Sequence, residues 1–533
     1  MVASVREKLA LRFGALGEDH PAYPWLVMVT VLFATFIAVL DSTVVNVALP
    51  HVMAAFGSSL DSIQWVITGY LLVFAVMLPL SGWVADKFGY KRTFFAAFLF
   101  FTVGSFLCSL AWNELSLIVF RVVQGVGGGM IMPVGLAIIT RAFPANKRGL
   151  AMGFWGIAAA AASSFGPGLG GFLVDRFGWP SVFLVNVPIG LVGMAAVWVV
   201  QREYRLEKSQ SFDVPGFVAI AAFLVSLLLA LSNGNASWNA EGWSAPFILA
   251  SFVIAGASLV VFLIVEVSSP HPIVDLKLFF YPNFAWVSLL LTLFGLGLMG
   301  STFLLPLYLQ TTLGYTALQA GVALMPMGLL QALTSPISGF LADRTDPKVP
   351  LLVGLGLLVL ALFLNTRLTP FPAAWQVTVP LVLMGMGFGM FFVPLQTSAM
   401  SLLPKDKIAQ AGGLISLVRQ IGSSFGVALV TTLLSFRQAF HASVLGEGLG
   451  AQPDLVNAAA ASLGRGGTEA GLLPAVSSLV APTQIVQQAK TVAYVQAIDD
   501  IYLLVAVSLA LCVFPVLAMK LPKKGAAPGP GAV

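Results

Sequence analysis

The sequence predicts an all-α integral membrane protein built from two related halves, and three observations carry that reading. The 533-residue chain is 58% hydrophobic and 9% charged, with a mean hydropathy of +0.94. That is more apolar side chain than a water-soluble core can bury. Apolar stretches of roughly 20 residues, the length that crosses a bilayer, recur along almost the whole chain. A short glycine- and charge-bearing segment, GWVADKFGYKRT at residues 82–93, is echoed by GFLADR at residues 339–344. Such an echo at equivalent places in two hydrophobic halves marks a duplicated transport unit, which a single-site enzyme has no need of.

The elements follow in order. The first apolar stretch, residues 25–48, is too long for a signal peptide and lacks a small-residue cleavage site, so it reads as a retained helix. Spans at 62–84, 93–111, 115–138, 149–174 and 181–200 complete a first group of six. A pair at 214–232 and 246–267 follows, and spans at 284–309, 317–341, 348–365, 375–398, 408–435 and 496–519 form a second six, fourteen in all. Most joints are short and turn-like, such as residues 141–149 and 343–348. Residues 437–495 differ: they are Gly-, Ala- and Ser-rich, contain GEGLGAQ and GRGGTEAG, and read as a mobile extracytoplasmic loop. The expected organisation is therefore an N-terminal segment 1–24, a six-helix bundle 25–200, two inserted helices with linkers 201–283, a second bundle 284–520 that includes the long loop, and a tail 521–533.

Charge sets the orientation. Of the 27 Lys and Arg residues, 20 fall on the side of the N-terminus and 5 on the other, with Arg121 and Arg419 inside helices. The positive-inside rule then predicts a multi-pass protein of the cytoplasmic (inner) membrane with both termini cytoplasmic. The net charge of +5 follows from this bias, and no nucleic-acid partner is expected. Cys108 and Cys512 lie in apolar runs, which argues for packing rather than a disulfide or metal site.

Intramembrane charge is scarce and therefore informative. Asp41 is the one carboxylate this reading places clearly within a span, where an unpartnered charge costs on the order of 2.5–3.5 kcal/mol. Arg121 lies at a depth that agrees with it within roughly 5 Å at 1.5 Å rise per residue. The pair either switches, Asp41 being ionised beside Arg121 and released by a proton, or is a static structural link. Its isolation favours the switch. The four histidines, His20, His51, His271 and His441, fall in end or loop regions. Arg419, near mid-depth, is open to three roles: bonding backbone carbonyls, lining a central cavity, or approaching Asp41. Tyr70, Gln124 and Gln331 are the polar points expected in that cavity.

The repeated segment also has a physical reading. Gly82 and Gly89 permit a tight reversal, Asp86 can sit at a positive helix N-terminus, and Lys91 and Arg92 lie at the membrane surface. The second copy keeps Gly339, Asp343 and Arg344 but lacks the second glycine and the basic pair. In the fifth span, Gly166, Pro167, Gly170 and Gly171 allow close helix contact and a bend.

These segments together with LDSTVVNVALP (40–50), RVVQGVGGG (121–129), GPGLGG (166–171), FLVNVPIG (183–190) and VRQIGSSFGVAL (418–429) resemble the major facilitator superfamily. Within it they are similar to the fourteen-helix drug–proton antiporters of the EmrB/QacA subfamily. The resemblance runs from about residue 25 to 435 and again over the last helix. It implies two six-helix bundles with two additional helices between them. The 257 residues separating Gly82 from Gly339 agree, being too many for six helices. It implies that the 82–93 segment latches the cytoplasmic side, with a weaker second copy, and that GPGLGG marks an antiporter helix. The implied activity is export of lipophilic drugs or toxic compounds, driven by the proton gradient with no cofactor. The alternative on the same scaffold is a dedicated exporter of a metabolite, siderophore or lipid. The expected partners are small lipophilic substrates, protons and membrane lipids, with a periplasmic adaptor and outer-membrane channel in a Gram-negative host. No nucleotide loop, zinc cluster or nucleophile–base set argues for an enzyme. With one acidic candidate, neutral or singly charged substrates are expected over dications, since each extra charge moved costs about 2.3 kcal/mol per 100 mV.

Overall fold

The computed structural model describes residues 20–205, 211–236, 238–299, 304–400, 403, 407–451, 453–469 and 474–519. The expected terminal segments up to residue 19 and from 520 onward lie outside these residues. The first bundle contains α1 (Tyr23–Phe56), α2 (Leu60–Phe88), α3 (Tyr90–Ser109), α4 (Glu114–Ala142), α5 (Arg148–Phe177) and α6 (Ser181–Val200), the last interrupted at Val185. The inserted pair is α7 (Val214–Asn233) and α8 (Pro246–Ser268). The second half comprises α9 (Pro282–Phe294), α10 (Leu304–Thr311), α11 (Ala317–Arg344), α12 (Lys348–Leu364), α13 (Ala374–Met400), α14 (Ile408–Ala451), α15 (Pro453–Glu469), α16 (Pro474–Ala510) and α17 (Val513–Ala518). Among the described residues there is no strand.

Thirteen helices among the described residues are long and apolar enough to cross a membrane. The described parts of the expected ninth span, 284–309, are α9, which runs into a π-helical turn at Gly295–Met299, and α10 from Leu304. Glycines that loosen the α-helical ladder favour such a turn. Gly295 has a second reason to lack a side chain, because a Cβ there would lie 2.8 Å from the Ser423 backbone nitrogen of α14.

Two expectations are corrected. Residues 437–495 are not a loop where they are described: α14 continues to Ala451, and α15 and the first half of α16 occupy the rest. Alanines spaced through this stretch supply helix propensity, and Pro453 and Pro474 stand at helix starts, where proline is tolerated. The 82–93 segment is likewise mostly helix. Gly82 is buried inside α2, which runs to Phe88, and the reversal falls on Gly89 alone, with φ 99°. A side chain at Gly89 would be strained in that conformation and would collide with Glu203.

The halves meet along α5 and α11, with further contact of α14 on α2 and α4 and of α13 on α5. Glycines bring the first pair together. A Cβ on Gly149 would lie 2.5 Å from the Gly339 carbonyl oxygen, and one on Gly153 2.5 Å from Pro336 Cα. In a bilayer, where lipid tails are as apolar as leucine, such close backbone contact is what holds helices together. The inserted α7 touches both halves, packing on α2 and on α14. At one end the ring of Phe212, just before α7, lies tilted 4.6 Å from that of Trp83 of α2. At the other, Asn235 Nδ2 donates to Thr432 Oγ1 of α14 at 2.6 Å.

The α5 glycines separate by role. Gly153→Leu is expected to overpack the α5–α11 contact at a cost of about 1–3 kcal/mol. Gly171→Leu, with nothing within 4 Å of its added Cβ, should be neutral. Thermal unfolding in detergent distinguishes them, and equal midpoints would refute the assignment.

Candidate functional site

Helix α1 carries Asp41 to a point with no solvent exposure, where its carboxylate must be satisfied by protein. Helix α4 brings Arg121 and, one turn on, Gln124 on the same face. The interruption of α6 at Val185 sets Asn186 at the start of its longer segment, facing the same carboxylate. Arg121 Nη1 donates to Asp41 Oδ2 at 2.6 Å. Gln124 Nε2 and Asn186 Nδ2 donate to Asp41 Oδ1 at 2.8 and 3.0 Å. The guanidinium also donates from Nε to the Val66 carbonyl at 3.3 Å and from Nη1 to Gln124 Oε1 at 2.7 Å. It lies 4.1 Å from the Tyr70 ring centroid. Asn186 Nδ2 reaches Ser105 Oγ at 3.1 Å, and Ser105 donates to the Phe183 carbonyl at 2.9 Å. The result is a buried network in which both charges are paired and multiply hydrogen-bonded.

The structure thus brings Asp41 and Arg121 together and changes the role of two other residues. Tyr70 and Gln124, expected to line a cavity, are buried within the charge network instead. An amide three residues after Arg121 is held by the guanidinium it shares a face with. Gln331 is half-buried on α11, its carbonyl accepting from Ser335 Oγ at 2.7 Å. Arg419 is half-buried, and its Nε is buried without a hydrogen-bond partner. Asn186 and Ser105 escaped the sequence reading because neither residue is charged and their partners are 145 and 81 positions distant. The FLVNVPIG motif was the available signal for Asn186.

Asp41 is also not the only carboxylate on a helix long and apolar enough to cross a membrane. Glu266 is buried in α8 and accepts from the Val274 backbone at 3.2 Å. In α16, Asp500 Oδ2 pairs with Arg437 Nε and His441 Nε2, both at 2.7 Å, beside Asp499. These acids sit near expected boundaries, where sequence alone does not separate membrane from surface.

At the Gly89 end, Asp86 lies in the last turn of α2 rather than at a helix N-terminus. Its Oδ1 accepts from Tyr90 Oη at 2.7 Å. Arg141 Nη2 donates to the same hydroxyl at 3.0 Å. The carboxylate at the start of α3 is Glu203, which accepts from the backbone nitrogens of Lys91 and Arg92 at 3.1 and 3.3 Å. An anion there satisfies orphan N–H groups and the helix dipole. Lys91 Nζ reaches the Trp198 carbonyl at 2.7 Å. The second copy spans the two halves. Asp343 at the end of α11 accepts from the backbone nitrogens of Gly149 and Leu150, both at 2.9 Å, in the first turn of α5. Expected to be the weaker latch, it supplies two hydrogen bonds between bundles, while Arg344 rests 4.1 Å from the Phe340 ring. Of the GPGLGG residues, Gly166 and Gly170 pack against Thr43 and Val44 of α1, Pro167 faces Gly321 of α11, and Gly171 opens to space.

Two helical halves meeting on glycine-lined faces, with a buried polar network in one of them, define a membrane transporter. Residues 31–427 match the Major Facilitator Superfamily. The chain is 36% identical over 418 residues to the multidrug resistance protein B homolog of Mycobacterium tuberculosis, covering 78% of this chain and 76% of that protein. It is 34% identical over 427 residues to the multidrug export protein EmrB of Haemophilus influenzae, covering 79% and 82%. The fold is similar to the crystal structure of the human organic anion transporter MFSD10 (TETRAN), with a TM-score of 0.60 over 92% of this chain and 99% of that one at 13% identity. The chain belongs to the Major Facilitator Superfamily, in the branch that holds the EmrB multidrug export proteins.

Leaving one buried charge without its partner is costly, by about 3–5 kcal/mol. Arg121→Met is expected to lose stability on that scale in denaturant unfolding, and adding Asp41→Leu to recover part of it. Strict additivity would show that the pair is not coupled.

Proposed function

We propose that this chain is a proton-coupled antiporter that exports lipophilic drugs or toxic compounds across the cytoplasmic membrane by alternating access. The observation that carries the reading is the Asp41 carboxylate, fully buried and bonded to Arg121, Gln124 and Asn186. An intramembrane carboxylate held this way has two electrically distinct states, and a proton moves it between them. Ionised, it matches the Arg121 charge. Protonated, it no longer matches that charge, which leaves the guanidinium to the Val66 carbonyl, Gln124 and the Tyr70 ring it already touches and loosens α1 from α4. Transport then follows if the two states favour opposite tilts of the bundles.

The names of the relatives support drugs as cargo, and the distribution of Lys and Arg supports cytoplasmic termini. On that orientation, the Asp343 contacts and the Gly149–Gly339 crossing close the cytoplasmic side. The gradient alone drives the cycle, so no cofactor is required. In a host with an outer membrane, a periplasmic adaptor and outer-membrane channel would take the cargo onward.

Everted vesicles test the reading directly. Adding a lipophilic drug is expected to release protons and collapse the pH gradient with wild type, and at least tenfold more slowly with Asp41→Asn, a loss of about 1.4 kcal/mol or more. Wild-type flux from the variant would sink the proposal. If Asp41 alone carries one proton per cargo, protection against a monoquaternary ammonium compound should exceed protection against its bisquaternary counterpart. Equal protection would count against a single proton per cargo.

A further inference from the structure

We propose that Asn186 is a positioning residue whose side-chain amide turns over when Asp41 takes a proton, presenting nitrogen to the carboxylate and oxygen to the carboxylic acid. The inference rests on the proton-coupling reading above. It starts from an imbalance in the buried network. Asn186 has no solvent exposure, and its Oδ1 is buried without a hydrogen-bond partner. A buried unpaired acceptor costs free energy, and a native structure that keeps one invites an explanation.

The explanation lies in the other atom of the amide. Asn186 Nδ2 has two protons and two acceptors, Asp41 Oδ1 at 3.0 Å and Ser105 Oγ at 3.1 Å. That corner suits an ionised carboxylate. Once Asp41 Oδ1 carries a proton, its O–H needs an acceptor, and every neighbour it now has is a donor. Rotation of the Asn186 amide by half a turn places Oδ1 where Nδ2 stood. The oxygen then accepts from the new Asp41 O–H, and the Ser105 hydroxyl turns from the Phe183 carbonyl to donate to it as well. Either orientation leaves one amide atom unpaired on the far side. The protonated state is therefore the poorer by one side-chain hydrogen bond, that from Ser105 to Phe183, which biases the switch toward the ionised state.

Gln124, the other amide on Asp41 Oδ1, cannot do this. Its Oε1 accepts from Arg121 Nη1 at 2.7 Å, and inversion would set its NH2 group against the guanidinium, donor against donor. Nor does the proton go to Oδ2, which faces Arg121 at 2.6 Å. The titratable or charged groups facing Asp41 are Arg121 from α4, Tyr70 from α2 and Cys108 from α3. Helix α5 carries its titratable groups, Arg148, Asp175 and Arg176, only at its ends. Asn186 is thus the one neighbour free to exchange a donor for an acceptor.

Proton-induced infrared difference spectra of the full chain in liposomes test this. Wild type should show a protonated-carboxyl C=O band that disappears in Asp41→Asn. It should also show an amide band that shifts when asparagine is labelled with 13C at its side-chain carbonyl. Asn186→Leu should remove the label-sensitive band, move the Asp41 C=O band to higher frequency because its O–H has lost an acceptor, and slow drug-driven proton release about tenfold. The labelling measurement uses unaltered sequence, so it stands even if the leucine variant folds poorly. An Asp41 band with no label-sensitive asparagine signal would overturn the amide switch and leave the antiport reading intact. Identical spectra from wild type and Asp41→Asn would remove Asp41 as the proton site, and both conclusions with it.

Discussion

A carboxylate placed in hydrocarbon must find its solvation inside the protein, and in this chain that requirement fixes the relative positions of four helices. Asp41 of α1 draws Arg121 and Gln124 from α4 and Asn186 from α6, and Arg121 in turn holds the Val66 carbonyl of α2. The apolar contacts around them have no fixed direction, whereas each bond of the polar network has a set donor and acceptor. The first bundle is therefore specified from its inside by polarity and only secondarily by shape.

The junction between halves works on the opposite physics. Helices α5 and α11 meet where side chains are missing, at Gly149, Gly153, Gly328 and Gly339. The only strong polar tie described between these two helices there is Asp343 on the first turn of α5. Contact between backbones is extensive but weak per atom. A flat glycine face tolerates rolling in a way that interdigitated large side chains do not. Rigidity sits inside a half and compliance between halves, which is the division of labour that alternating access needs.

How much of this was legible in the sequence depends on the range of the interaction. Apolar length gave the helices, because one residue's environment in a membrane is dominated by its own segment. The Asp41–Arg121 pair was legible because two rare charges at matching depth have few other partners. Asn186 was not, since a neutral amide in an apolar run has no depth-matched counterpart to seek. Glu203 was missed for a related reason: it caps α3 from the end of the first bundle, and an acid in the polar run QREYR carries no local sign of its target. The 437–495 stretch was misread because glycine and serine suggest a loop when counted, while the alanines between them keep the helix going.

The attachments of the inserted pair are asymmetric. The segment just before α7 leans on α2 through Phe212 and Trp83, and the loop after it is pinned to α14 through Asn235 and Thr432. A rod fastened to one body at its base and to the other at its tip cannot stay at rest while those bodies tilt against each other. It has to pivot, flex or break one fastening in every cycle. Any tilt of one half against the other therefore falls on α7 and on these two fastenings.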